Sequence, residues 1–451
     1  MVISEKLKLL NNTKMAKKLY FIENIRTILP ERNEASRTIL TLEDVTFSEE
    51  LGLREFYHEG IRIDGTDIYE VHVPFISPYM DELVMMNFKS AIHEGQYVYY
   101  DNETREVEPA YNNPQAKSRR SANIRLRTDL IELIRRDEQE ESHVNRFSYN
   151  AQVVSYHVNV GHGNCTIILI RDGKESELWM VDCGGIDMIN GQCYYSNISA
   201  CLVDIASKYK IPQEDFYISK FFLTHWHYDH ISGLLWLIRQ GLIDARTQCY
   251  MNLYYGHSSK CANEVLRELY RLRVKCYEPT ATLKTIQEVA ILHPECRIRK
   301  WATPKDENYR IVTKMNNTSV VYSISIGNDT MIFPGDLEQN GWDAMTSAAT
   351  CQKHHLCTTN YYCVSHHGSM TGHVDIPCLE RNHYPKIGNC IKAGPLQKAI
   401  LMGRDGAYPG IYNNGVVNYW GNILRYSEHD DQNNSRCAYV LEWGLNNERY
   451  L

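Results

Sequence analysis

The feature that most constrains the fold of this chain is an apolar segment that runs directly into a dense group of metal-binding residue types. Ile218–Thr224 contains three large apolar residues in a row, Phe221, Phe222 and Leu223, which is typical of a strand buried on both faces. The residues that follow this strand at once are His225, His227, Asp229 and His230. The chain has 18 histidines in 451 residues, so a group of this density is improbable by chance.

The residue types in this group predict a metal site. Imidazole nitrogen binds transition metals such as zinc, and a carboxylate adds a hard oxygen ligand. His225 and His227 lie two residues apart and can reach one ion from a common side. Asp229 and His230 point elsewhere and can reach a second ion.

The sequence after about residue 150 predicts many short strands, mostly in hairpins, with helices between them. Val153–Val160 and Cys165–Ile170 are joined by Gly161-His162-Gly163-Asn164, which predicts one hairpin. Thr318–Ile326 and Thr330–Phe333 predict a second hairpin, and helices are expected at 197–210 and 232–240. This pattern favours an α+β fold in which helices cover two sheets.

Residues 1–150 differ in composition from the rest of the chain, because all 14 cysteines lie after them. Their elements are mixed: we predict helices near residues 6–19 and 123–136 and extended segments near 60–74 and 96–100. No chemical motif is found in this region. The expected organisation is an N-terminal accessory domain, 1–150, with a mixed α/β character, followed by a catalytic domain, 151–451.

Several blocks together resemble the metallo-β-lactamase superfamily. His-x-His-x-Asp-His after an apolar strand is similar to the signature of that superfamily. Three further blocks occur in the superfamily's order: Asp182 after a strand, Phe333-Pro334-Gly335-Asp336, and Ser365-His366-His367-Gly368-Ser369. The resemblance covers about residues 150–451 and implies an αββα sandwich that binds two divalent metal ions, zinc or manganese.

The resemblance also implies a role for each site residue. His225 and His227 would hold the first ion, and Asp336 would bridge both. The second ion would be held by Asp229, His230 and one of His366 or His367, with Asp182 supporting the ligands by hydrogen bonds. Many members supply a further histidine to the first ion; Asn316 occupies that place here, and His257 and His293 are fallback ligands.

One branch of the superfamily is closest in motif, namely the branch with the nuclease domain of the competence protein ComEC and the phosphorylcholine esterases. Val158–Asn164, Asn316–Ser319 and Gly403–Pro409 resemble blocks of that branch. The chain departs from it at His162, where glutamine is usual, and at Asn164, where aspartate is usual. These departures leave the substrate open.

The function implied is that of a phosphodiesterase or nuclease in which two metal ions activate a bridging water. Asp229 would orient the nucleophile. The leaving-group acid would be whichever of His366 and His367 does not bind metal, with His373 in reserve. Two alternatives stay open: a hydrolase of small esters, lactones or thioesters, and a partner-controlled effector module of a defence system, docking through residues 1–150.

Composition narrows the possible partners. The net charge of -7 excludes a chain that is basic throughout, but a basic stretch at 117–136 is either a nucleic-acid contact or a solvated helix face. No apolar run reaches membrane-spanning length and no signal peptide is evident, so a cytoplasmic protein with reduced cysteines and no membrane partner is expected. A structural zinc at Cys351, His354, His355 and Cys357 is a minor alternative.

Overall fold

The structure is a computed structural model, and it divides the chain into two compact units. One unit is Met1–Arg26 with Asn33–Ala122, and the other is Thr27–Arg32 with Asn123–Leu451. The residues described are 18–28, 37–44, 68–74, 97–100, 107–110, 147–187, 192–252, 260–279, 288–293, 315–338, 341–342, 356–374, 388, 391–392, 394–407 and 410–451. The domain boundary near residue 150 stays a prediction.

In its described part, the first unit has a five-stranded sheet. Its strands are β1 Lys18–Ile28, β2 Arg37–Asp44, β3 Ile68–Pro74, β4 Tyr97–Tyr100 and β5 Val107–Pro109, in the order β3-β2-β1-β4-β5. The extended segments predicted near 60–74 and 96–100 are therefore confirmed. The helix predicted over 6–19 is wrong at Lys18 and Leu19, which begin a run of β-forming residues in β1. The rest of that helix and the helix at 123–136 lie outside the described residues.

The second unit contains two larger sheets. The strands of the first are β6 Gln152–Val158, β7 Cys165–Asp172, β8 Glu175–Cys183, β9 Ile218–Phe222, β10 Gln248–Tyr250, β11 Lys275–Tyr277, β18 Ala438–Glu442 and β19 Asn447–Tyr450. The strands of the second are β12 Val289–His293, β13 Val321–Ile326, β14 Asp329–Phe333, β15 Tyr361–Cys363, β16 Lys398–Leu401 and β17 Leu424–Tyr426. The first sheet has the order β11-β10-β9-β8-β7-β6-β18-β19, and the second keeps the chain order from β12 to β17.

Both predicted hairpins are present, but hairpins do not dominate the two sheets. β6 pairs antiparallel with β7, and β13 with β14, as expected. Parallel pairs are as prominent, because β8, β9, β10 and β11 run parallel, as do β14, β15, β16 and β17. Parallel neighbours need long crossover connections, and the segment between β8 and β9 contains a helix for this reason.

The two sheets pack face to face through a shared apolar core. The Phe222 ring of β9 lies 5.7 Å from the tilted Trp179 ring of β8. It also meets Tyr322 of β13 in the other sheet edge-on, at 5.2 Å between ring centroids. All three rings are fully buried. The burial of this aromatic surface between the sheets stabilises the unit.

Helices lie on the outer faces of both sheets. The α-helices among the described residues are α1 Tyr195–Tyr209, α2 Tyr228–Ile231, α3 Leu234–Arg239, α4 Lys260–Arg271 and α5 Asn414–Trp420. Tyr156 of β6 donates a hydrogen bond to Asp204 of α1 at 2.7 Å. On the second sheet, Tyr361 faces the core, so its neighbour Tyr362 faces outward, where it packs on Trp420 of α5 at 5.0 Å. The predicted α+β class and αββα layering are confirmed.

Helices α1 and α3 match the two helices predicted at 197–210 and 232–240 within a few residues. The buried face of α1 is formed by Ile198, Cys201 and Ile205, which recur at helical spacing. Within the described part of the chain, no helix is both long enough and apolar enough to cross a bilayer.

Candidate metal centre

The site lies where strands of the two sheets end. β9 stops at Phe222 and leads through Thr224 into the histidine group. In the second sheet, Asp336 follows β14, and His366 and His367 follow β15. Because β14 and β15 are parallel neighbours, their carboxyl ends bring these residues to one edge.

Four of the predicted site residues converge on one point. Asp229, His230, Asp336 and His367 each offer one ligand atom, and these atoms all lie within 4.8 Å of one another. The shortest approaches are His367 Nε2 to Asp229 Oδ2 at 3.2 Å, His230 Nε2 to Asp336 Oδ1 at 3.3 Å and His367 Nε2 to Asp336 Oδ2 at 3.4 Å. Metal ligands about 2.0–2.2 Å from a shared ion have separations of this size.

The carboxylates in this group fit a cation. Asp229 and Asp336 have no exposed surface. Asp229 Oδ1 and both oxygens of Asp336 accept no regular hydrogen bond from any described residue. A buried carboxylate that lacks donors is costly unless a positive charge faces it. Two such carboxylates beside imidazole nitrogens therefore form a donor set suited to a divalent metal ion.

Residues around the group set the orientation of its imidazoles. His230 Nδ1 donates to Asp182 Oδ2 at 2.8 Å, and His367 Nδ1 donates to the Met402 carbonyl at 3.1 Å. In both rings Nε2 is thereby turned toward the carboxylates, and once it is deprotonated its lone pair points there, as in metal-binding histidines. Asp182 also accepts bonds from the backbone N–H and the hydroxyl of Thr224. This is the supporting geometry that the family resemblance implies for Asp182.

His225 and His227 form a second, adjacent pair. His225 Nε2 and His227 Nδ1 lie 3.0 Å apart, and the His225 ring is 4.1 Å from the His230 ring. The Thr224 hydroxyl donates to Asp182, so its oxygen accepts from His225 Nδ1–H at 3.2 Å. The lone pair of His225 Nε2 thus faces the same space as His227 Nδ1, and the two nitrogens can share one ion.

His366 and Asn316 lie beside Asp336 but outside the four-residue group. His366 Nε2 is 3.9 Å from Asp336 Oδ2, and Asn316 Nδ2 is 3.4 Å from His366 Nε2. The other nitrogen of His366 lies 3.0 Å from Thr371 Oγ1 and 3.7 Å from Glu338 Oε1. The four-residue group thus contains His367 and not His366, and the Asn316 amide nitrogen contacts His366.

The backbone explains why two successive histidines face different partners. His366, His367 and Gly368 all have positive φ, at 51°, 49° and 75°. This left-handed region is unfavourable for residues with a side chain, so two such residues in succession persist only where the surroundings hold them. The His366 and His367 rings are consequently 6.3 Å apart and steeply inclined to each other.

The pKa values of the site residues differ from those of the same side chains in water. Burial alone would lower the pKa of His367, but Asp336 and Asp229 raise it to about 9. Asp182, Asp336 and Asp229 likewise raise the pKa of His230 well above its usual value despite burial. The histidines in turn hold the pKa values of Asp229 and Asp336 well below the usual range, although burial opposes this. His225 differs, because burial and His230 lower its pKa to about 3.

Of the remaining predicted residues, His373 and Cys357 lie in the described part of the chain. His373 is mostly buried against Tyr419, and burial with the nearby Lys392 lowers its pKa to about 4, so it is a poor proton donor near neutral pH. His257, the His293 side chain and the basic stretch at 117–136 lie outside the described residues. The same holds for Cys351, His354 and His355 of the alternative zinc group.

One residue near the centre was not predicted as part of it. His162 is fully buried, and its ring lies 4.3 Å from the His367 ring. The sequence pointed to this residue only through the turn Gly161-His162-Gly163-Asn164, in which the related branch has glutamine at the position of His162.

The described part of the chain therefore has the αββα layers and the buried histidine and aspartate site that its resemblance to the metallo-β-lactamase superfamily implies. No protein-family model matches the chain, and no curated protein matches it. Among solved structures it is similar to the metallo-beta-lactamase fold protein YhfI from Bacillus subtilis, with 14% identity, 64% of this chain and 99% of that chain covered, and a TM-score of 0.35. It is also similar to a diphosphatase from the PhnP family, with 9% identity, coverage of 61% and 94%, and a TM-score of 0.31.

Proposed function

We propose that this chain is a metal-dependent hydrolase that cleaves phosphodiester bonds in a nucleic acid or a nucleotide, with two divalent ions, Zn²⁺ or Mn²⁺. The observation that carries the proposal is the position of Asp336. Its two carboxylate oxygens face the imidazoles of His230 and His367 at 3.3 and 3.4 Å, and that of His366 at 3.9 Å. A carboxylate surrounded by imidazoles in this way suits a metal ion. The charge of Asp336 also acts on His225 of the neighbouring pair, which supports a bridging role for this carboxylate.

The ligands divide between the two ions as follows. His225 Nε2 and His227 Nδ1 would hold the first ion, and Asp229, His230 and His367 the second, with Asp336 shared. When bound, such a pair of ions lowers the pKa of water and polarises a phosphoryl oxygen. The histidine-rich donor set supports zinc, whereas the carboxylates also admit manganese. The branch resemblance supports a phosphodiester substrate over a carboxylic ester.

The protein's own groups would complete the reaction. Asp229 Oδ2 is held beside His367 at 3.2 Å, which positions its other oxygen to orient the attacking water. His366 is proposed as the proton donor to the leaving group, because it lies at the edge of the site and outside the four-residue group. Glu338, 3.7 Å behind His366, would stabilise the protonated imidazole.

His366→Gln tests this role through its dependence on the leaving group. We expect a loss of about 10²–10⁴-fold on diesters with an alkoxide leaving group, the usual size for general acid catalysis. Hydrolysis of bis-p-nitrophenyl phosphate should fall by less than about tenfold, because p-nitrophenolate leaves without a proton. Bound metal, measured by elemental analysis, should not change. Equal losses on both substrates, together with lost metal, would instead make His366 a metal ligand.

The substrate class is tested with the full-length chain in the presence of added Mn²⁺ or Zn²⁺. We expect turnover of bis-p-nitrophenyl phosphate and nicking of supercoiled plasmid or hydrolysis of dinucleotides, all abolished by a chelator. The comparison substrates are p-nitrophenyl acetate, a lactone and a thioester. Turnover of these, with none of any phosphodiester, would refute the proposal and favour a small-molecule ester hydrolase.

A further inference from the structure

Arg404 follows a short segment that is packed against the proposed metal ligand His367. The His367 Nδ1–H donates to the Met402 carbonyl at 3.1 Å. Gly403 has a φ of 126°, and a Cβ at this position would lie 3.1 Å from the Cβ of His367, so glycine is favoured there. The backbone of the next residue, Arg404, therefore lies beside the candidate metal centre.

The side chain of Arg404 is held by a buried carboxylate. Its Nε–H donates to Asp187 Oδ2 at 2.7 Å, and Asp187 has no exposed surface. The same oxygen accepts from the His162 N–H at 3.3 Å. Since the His162 ring lies 4.3 Å from the His367 ring, residues next to the metal centre flank the Arg404–Asp187 ion pair on two sides.

Most of the hydrogen-bonding capacity of this guanidinium is unused. Arginine has five N–H donors, and toward the described residues Arg404 donates only its Nε–H. Among those residues, Asp187 is also the one carboxylate within ion-pair distance. The Arg404 side chain is 25% exposed, so a ligand can reach it. A guanidinium fixed through Nε presents Nη1 and Nη2 in a set direction, which suits two parallel bonds to a phosphate.

We propose that Arg404 binds a second phosphate of the substrate, next to the phosphate that is cleaved, through Nη1 and Nη2. This inference rests on the proposed function and deepens it, because it selects substrates that carry a further phosphate, such as an oligonucleotide, over simple diesters. It also gives a role to the block Gly403–Pro409, which resembles the related branch. Arg404 then determines specificity and takes no part in the bond cleavage itself.

The test uses the full chain with added Mn²⁺ and dithymidine phosphate, either unmodified or with a further phosphate at one end or the other. We expect a further phosphate at one of the two ends to lower KM about tenfold or more, the size of a hydrogen bond to a charged group. Arg404→Gln should abolish this gain. Its rates on unmodified dithymidine phosphate and on bis-p-nitrophenyl phosphate should not change, because these substrates have no second phosphate. Arg404→Lys keeps the charge without the paired donors and should keep part of the gain.

Arg246→Gln is the matched control. Arg246 pairs with Asp244 just before β10 begins, whereas the site lies where strands end, so this variant should keep the gain. A folded Arg404→Gln variant that keeps the gain refutes the phosphate contact, and so does an unmodified chain that shows no gain. Equal losses on all substrates, bis-p-nitrophenyl phosphate included, also refute it and make Arg404 a support for the segment beside His367.

Loss of the Arg404 charge leaves Asp187 buried without its positive partner, which strongly destabilises a fold. If Arg404→Gln does not fold, the double variant with Asp187→Asn removes both charges and should show the same loss of the gain. If the unmodified chain hydrolyses no dinucleotide, the proposed function fails, and the dinucleotides become stable ligands. Calorimetry then tests Arg404 alone: tighter binding of a phosphorylated dinucleotide that depends on Arg404 supports the contact, and equal binding refutes it.

Discussion

Asp336→Asn is expected to lose most of the bound metal and to reduce the rate of phosphodiester hydrolysis by more than about 100-fold. Substitution of a residue that only hydrogen-bonds to a metal ligand usually costs about 10–100-fold, so a direct ligand should cost more. Asp336 is the carboxylate that faces three imidazoles, and its charge also acts on His225 of the proposed first ion site. Asparagine keeps the shape and removes that charge. The metal content is measured by elemental analysis and the rate with bis-p-nitrophenyl phosphate.

The control for this variant is Asp172→Asn, which changes a carboxylate that accepts bonds from Ser148 at the surface. It should keep both metal and rate. Circular dichroism of each variant shows whether the fold is retained. If Asp336→Asn is folded and still binds two ions with the rate of the unmodified chain, the bridging role of Asp336 is wrong.

The second large effect is the dependence of metal affinity on pH. In the metal-free protein the carboxylates raise the pKa of His367 to about 9 and that of His230 well above its usual value, although burial opposes both shifts. Both rings therefore carry a proton on each nitrogen, and so a positive charge, at neutral pH. A metal ion binds the deprotonated nitrogen, so binding must release these protons. The carboxyl groups of Asp229 and Asp336, with lowered pKa values, are already ionised and release none.

The direction of the pH effect follows from this exchange. Below pH 9, each unit of rising pH should increase the apparent affinity about tenfold for every proton released, so one proton gives about 100-fold between pH 6 and 8. Above the pKa of His367 its share of the effect should disappear. Isothermal titration calorimetry in buffers of different ionisation enthalpy counts the protons directly. His367→Gln should release one fewer, and an affinity that does not change between pH 6 and 8 would contradict the assignment.

Features that depend on local pattern were predictable from the sequence. Three apolar residues before His225 predict the buried strand β9, and the dense histidine group predicts a metal site without reference to tertiary structure. Asp182 and Asp336 were found because each follows or ends a strand in a recognisable block. Their convergence with the histidine group then follows from strands that end at a common edge.

Features that depend on tertiary packing were not predictable in this way. Which of His366 and His367 joins Asp229 depends on positive φ angles at both residues, and the surrounding loops impose these angles. His162 lies 67 residues before Asp229, as their numbers show, and is brought to it only by the packing of a turn against a peptide carbonyl. The balance of parallel and antiparallel pairs was also missed, because a strand's own sequence does not specify the direction of its neighbour. The docking role of residues 1–150 stays a prediction.

The left-handed turn at His366, His367 and Gly368 has a consequence for how the chain can vary in length. Its three positive φ angles send successive imidazoles in different directions, one toward Thr371 and Asn316 and the other toward Asp229. Removing or adding a single residue between β15 and Gly368 would present the wrong ring to Asp229. An insertion or deletion in this segment should therefore separate the His367 imidazole from Asp229.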